Sequence, residues 1–216
     1  MTLKQICDSI AAWNALRTAK DFTSLNALFA DGNSFNYKRT ISSENDGENS
    51  GKTSYMHVYP GVHDDKLQLY LIPARRDSQL QAQTTSGILP YIEICDLNEF
   101  PNLGSEIPVQ EAQLRIAAWN DDHEEWIENI VTTKDNIFQA FAIPYADVQV
   151  GHDVEIFFAL KPNPNPSEDY ATADLVIYDE SESAVTPHYY DMVRPVPPFH
   201  TQSGLQQQDF YLLSIS

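Results

Sequence analysis

Past its first 30 residues the hydrophobic period of the chain changes twice, and this limits the folds open to it. Up to about residue 97 the apolar runs mostly alternate, as in "TSYMHVYP" and "KLQLYLIP"; after about residue 137 come "NIFQAFAIP", "EIFFALK" and "DLVIYD". Between them Val109, Ala112, Ile116 and Trp119, then Trp126, Ile127, Ile130 and Val131, recur at spacings of three and four. Alternation sends successive side chains to opposite faces of a strand, whereas three-to-four spacing gathers them on one side of a helix. Strands clustered on either side of helices favour an α+β fold over an alternating βαβ plan. The expectation is a largely antiparallel sheet of about five to eight strands in a single domain over 1–216. Helices at about 3–17, 24–30, 108–119 and 122–131 are expected to pack on one face of it.

Local chemistry refines several of these elements. Leu3, Ile6, Ile10, Trp13 and Leu16 form the stripe of the first helix, with Thr2 as N-cap and Gln5 as its capping-box partner. Leu25, Leu28 and Phe29 mark the second, which Asp31-Gly32 should stop. Residues 42–52, "SSENDGENSGK", hold no apolar side chain and read as a mobile polar loop. That loop could close a hairpin between "SFNYKRTI" and "TSYMHVYP". "YMHVYPGVHDDKLQLYLIP" reads as a second hairpin, turning near Pro60-Gly61 and Asp64-Asp65. "ILPYIEICD" is expected as a strand, Pro108 as a first-turn helix residue, "PYADV" as one helical turn, and "EIFFALK", apolar on both faces, as a central strand. "RPVPPF" should be extended, and "FYLLSIS" should end as a strand.

Charge excludes two partner classes. Asp and Glu number 31 against 13 Lys and Arg, a formal charge of -18. Such a surface repels phosphate backbones and anionic lipid, so no nucleic acid and no membrane partner is expected. The start "MTLKQICDSI" carries no apolar signal region, and Cys7 and Cys95 make no disulfide framework, so the expected location is cytoplasmic.

Reactive motifs are scarce. "GENSGKTS" resembles a phosphate loop, but the first required glycine falls on Asp46 and the flanks read as strand. Gly-x-Ser-x-Gly, HExxH and CxxC are absent. "NDDHEEW", Asn120 to Trp126, gathers carboxylates around a histidine. Consecutive helical residues point about 100 degrees apart, so Asp122, His123 and Glu124 cannot share one ion. A helix start explains them better: Asn120 or Asp121 as cap, Glu124 reaching back to the cap amide. If the histidine-bearing turns converged, His57, His63, Asp64 and His123 could still build a hydrolytic metal site, with Glu124 as base.

"YYDMVRPVPPFH" admits two readings. Tyr189, Tyr190, Pro195, Pro198 and Phe199 could form an aromatic and proline-rich docking surface, or the segment could lie extended across its own sheet. Trp13, Trp119 and Trp126 read as core or subunit contacts. The sequence therefore points to a non-enzymatic cytosolic interaction or assembly protein with an aromatic-rich surface. It would need no cofactor and would meet a protein partner or another copy of itself. A metal-dependent hydrolase with a His/Asp site is the alternative.

Overall fold

A computed structural model describes residues 1–38, 55–84, 87–97, 110–133, 137–144, 151–162, 171–179, 188–190, 194–196 and 210–216. The polar loop at 42–52, Pro108, "YADV", Pro198 and Phe199 lie outside these residues. The fold is α+β, with every described strand pair antiparallel.

The strands divide between two sheets. Sheet A holds β1 (Ser34–Lys38), β6 (Asp153–Lys161), β7 (Thr172–Asp179) and β8 (His188–Tyr190) in the order β1-β6-β7-β8. Sheet B holds β2 (Tyr55–His63), β3 (Lys66–Pro73), β4 (Glu93–Asp96), β5 (Ala140–Pro144) and β9 (Arg194–Val196) in the order β4-β3-β2-β5-β9. "EIFFALK" is central in sheet A, between β1 and β7, as its two apolar faces require. The expected hairpin across 42–52 does not form: β1 pairs with β6, and β2 pairs with β3 and β5. Alternation identifies a strand but not its neighbour, so this pairing was not in the local pattern.

The β2–β3 hairpin does form, and its turn is at Asp64-Asp65 alone. Both residues have positive φ, 50° and 60°, the conformation that a two-residue hairpin turn demands. Pro60 and Gly61 instead lie inside β2, opposite Leu69 and Gln68. Pro60 is tolerated because β5 flanks only Tyr55–Val58, so no partner on that side lacks a donor. Gly61 has a packing role. A β-carbon there would fall 2.6 Å from the Tyr70 ring and 3.0 Å from the Ser9 backbone, so its absence lets α1 (Leu3–Ala19) lie close across β2.

One face of each sheet feeds a common core. Val154, Ile156, Phe158 and Leu160 from β6 meet Met56, Val58, Leu69, Leu71 and Phe141 from sheet B, along with Trp13 and the apolar residues of α2 (Phe22–Leu28). The helices therefore do not share one face. Ile6 and Ile10 of α1 cover the other side of sheet B, against Tyr59, Tyr70 and Ile72. Residues 110–133 form one helix, α4 (Gln110–Thr133), rather than two. Its stripe runs unbroken through Ala112, Ile116, Trp119, Trp126, Ile127, Ile130 and Val131, and buried area outweighs the capping preference of Asn120 and Asp121. Asn120 turns its side chain to the core side, where Asn33 Nδ2 donates to its Oδ1.

"FYLLSIS" is the remaining correction. Residues Tyr211–Ile215 are a short helix, α5, not a strand. Short apolar runs do not distinguish the two states, and here a distant carboxylate decides, as described next. "ILPYIEICD" divides as well: Leu89–Tyr91 is a 3-10 turn, and the strand begins at Glu93.

Candidate functional site

The outer faces of the two sheets carry the distinctive chemistry. On sheet B the centre is Asp77, in the turn after the 3-10 stretch Ala74–Arg76. Its backbone N–H bonds to the carbonyls of Pro73 and Ala74, both at 3.1 Å, and Ser78 caps α3 (Gln79–Ala82) immediately beyond. The carboxylate thus held is buried, 3% exposed, and makes three hydrogen bonds among the described residues. His57 Nδ1 lies within hydrogen-bond distance of Oδ2, at 2.7 Å. Tyr59 OH donates to the same oxygen. The Leu212 backbone N–H donates to Oδ1 at 3.0 Å. Burial first, and then the Asp77 charge, push the Tyr59 phenol well above its ordinary range, so it keeps its proton and its donor role. Phe210 stacks on the His57 ring at 3.9 Å and meets Tyr59 edge-on. The network fixes α5 to sheet B.

Sheet A is covered differently. The first turns of α4 lie over its outer face, where Ala112 and Ile116 pack on Phe157, Ala159 and Val176. Arg115 Nη1 bonds to buried Asp174 at 3.2 Å, and Nη2 bonds to Glu111. β1 stops at Ser34, opposite Phe157, and past that point α4 turns its stripe into the core, stacking Trp119 on Phe158 at 5.2 Å. The rest of the outer face keeps a half-buried tyrosine pair. Tyr178 of β7 and Tyr189 of β8 are partners across the ladder and stack at 5.5 Å and 25°. The Tyr189 hydroxyl is enclosed without a hydrogen-bond partner among the described residues. Burial, then Tyr178 and Glu155, raise its phenol. An enclosed hydroxyl lacking a partner is uncommon in a folded chain and marks a place to be explained.

The remaining candidates lie apart. His63 and Asp64 sit together at the hairpin tip, with Nε2 and Oδ2 3.6 Å apart. They line a cleft of about 560 Å³ with Leu28, Asp31, Leu67 and Asp96. His57 is six residues away along β2, inside the Asp77 network. His123 is on α4, stacked on Trp119 with its Nδ1 2.8 Å from the Trp119 carbonyl. "NDDHEEW" is therefore mid-helix rather than a helix start, and Asp121, Asp122, Glu124 and Glu125 are exposed on it. Of the metal quartet, only His63 and Asp64 are brought together. Among the described residues no three His, Cys, Asp or Glu side chains are grouped to hold a metal ion. His152 pairs with Asp179 across β6 and β7 at 2.6 Å, not with neighbouring Asp153.

Of the proposed docking residues, Tyr189 is in the sheet A pair and Tyr190 is opposite Ile177. Pro195 is in β9, opposite Phe141. The sequence reading missed Tyr178, Tyr59, Asp77 and Phe210. A tyrosine at the end of "DLVIYD" gave the only local hint, since Asp77 and Leu212 are 135 residues apart. Comparison of the chain with protein-family models, with curated proteins and with solved structures finds no match.

Proposed function

We propose that the chain is a non-enzymatic cytosolic interaction or assembly protein, and that it docks through the open half of the outer face of sheet A. The observation that carries this reading is the Tyr178–Tyr189 stack, half-buried, with the Tyr189 hydroxyl enclosed and without a partner among the described residues. Tyrosine suits such a place. It offers a large rigid apolar area at low entropic cost. The neighbouring polar groups, Glu155 bonded to Ser34 and Lys38 paired with Asp153, give the patch the polar rim common to reversible interfaces. A face of this kind fits a second copy of the chain or a protein partner. Among the described residues no helix is long and apolar enough to cross a membrane.

Light scattering across a concentration series tests the reading. Self-association that weakens at least about tenfold in Tyr189→Ala, a loss of about 1.4 kcal/mol or more, is the expected result. A wild-type chain that stays monomeric and retains no protein partner would leave the reading without support.

A further inference from the structure

The seat on sheet B has a property that the docking reading does not use. Phe210 and Leu212 are fully buried in it, while Tyr211 and Leu213 are half-buried and Ser214 to Ser216 are exposed. Among the described residues the directional hold on this segment centres on the Leu212 N–H, which donates to Asp77 Oδ1 at 3.0 Å. The seat needs nothing from the segment to form. β2 is paired by β3 on one side and β5 on the other, and Asp77 is fixed by its own backbone bonds to Pro73 and Ala74. Ile6 and Ile10 complete its wall from α1, whose own cap is Thr2.

Such a seat is selective. Emptied, it would leave a buried carboxylate one donor short and the His57 ring without its stacking partner. The fitting occupant offers an aromatic ring, a leucine two residues later, and that leucine's free backbone N–H. Every copy of the chain carries such a segment. The contacts are identical whether the segment comes from the same copy or another, so concentration and connection set the balance rather than new contacts. We infer that residues 210–216 are an exchangeable strap, and that the His57–Tyr59–Asp77 seat of one copy accepts Phe210–Leu212 of a second. This goes beyond the sheet A docking face and uses different residues.

The test mixes two full-length variants. Phe210→Ala/Leu212→Ala has an intact seat and a strap that cannot fill it; Asp77→Asn has an intact strap and a weakened seat. Both variants also carry Tyr189→Ala, which removes the docking face and separates this inference from it. The expected result is then a one-to-one heterodimer in the mixture by native mass spectrometry, with each variant monomeric alone at the same concentration. Folded variants that stay monomeric when mixed would overturn it. Hydrogen exchange on the wild-type chain supplies a check that needs no variant. Amides of residues 211–215 should exchange at least about tenfold faster than those of β2 and β3, through local release. Exchange of the segment only together with the core strands would overturn the inference equally.

Discussion

The two outer faces are built from the same materials and finished differently. On sheet B, α1 lies along β2 because Gly61 admits it, and α5 covers what α1 leaves. The polar groups at its centre share one partner: His57, Tyr59 and the Leu212 amide all meet Asp77. On sheet A, α4 covers the half nearest Arg115 and Asp174, then passes the end of β1 into the core. The tyrosine pair is left at the margin, with the Tyr189 hydroxyl unanswered among the described residues. A sheet face roofed along a strand can be closed completely, whereas a face crossed by one helix stays half open. The first arrangement stabilises, and the second leaves aromatic area that the proposed docking would use.

The comparison breaks most sharply at Asp77. Asp77→Ala strands three buried polar groups, each costing about 1–3 kcal/mol when unmet, with some relief from local rearrangement. A loss of ~3–5 kcal/mol in urea unfolding is expected, together with release of α5. A loss below ~1 kcal/mol would mean that the sheet B roof does not depend on its polar network.

Arg115 is the counterpart on sheet A. Arg115→Ala leaves Asp174 buried without that cation, although the Leu175 N–H still bonds to Asp174 Oδ1 at 2.9 Å. Glu111 is exposed and recovers its solvation. A cost of about 2 kcal/mol is expected, below the usual loss from breaking a fully buried pair. Hydrogen exchange on the same variant should show α5 as protected as in the parent chain, since the damage lies on the other sheet.

What could be read from the sequence divides along the same physical line. α1 was legible to its cap because its stripe and capping box are both local, and the structure keeps Thr2 and Gln5 in reciprocal bonds. The Asp64-Asp65 turn and the central place of "EIFFALK" were legible for the same reason. The division into two sheets was not, because the residues of β1 say nothing about whether β2 or β6 will pair with them. The cap-like Asn120-Asp121 misled because local capping is worth about 1 kcal/mol, less than the burial of Trp126, Ile127 and Ile130 that a continuous helix secures. "FYLLSIS" misled because Asp77, deep in the polar stretch 74–87, decides its conformation from far away in the chain. At the site, Tyr189 was identified from its aromatic neighbourhood, and its stacking partner Tyr178 emerged only once β7 and β8 were paired.

The smallest expected effects are the most discriminating, because one substitution can be made on both faces. Tyr59→Phe removes a hydroxyl that donates to a buried carboxylate, and should cost about 1–2 kcal/mol. Tyr189→Phe removes a hydroxyl with no described partner, and should change stability by less than ~0.5 kcal/mol in either direction. Alkaline pH adds a second reading of the pair. Both phenols are raised in the folded chain from the ordinary value of 10.0, Tyr59 well above it. Above pH 10 the unfolded chain loses these protons first, so it binds fewer protons than the folded chain and stability falls as pH rises. Below pH 10 both states hold their protons and this contribution is flat. Each phenylalanine variant should therefore unfold with a shallower loss between pH 10 and 11 than the parent chain, and by a similar amount, because both folded phenols keep their protons in that window. Absence of any flattening would mean that neither phenol is held protonated by the fold, and equal stability cost at neutral pH would mean that the two tyrosines occupy equivalent surroundings, so that the contrast between a closed and an open face would fail.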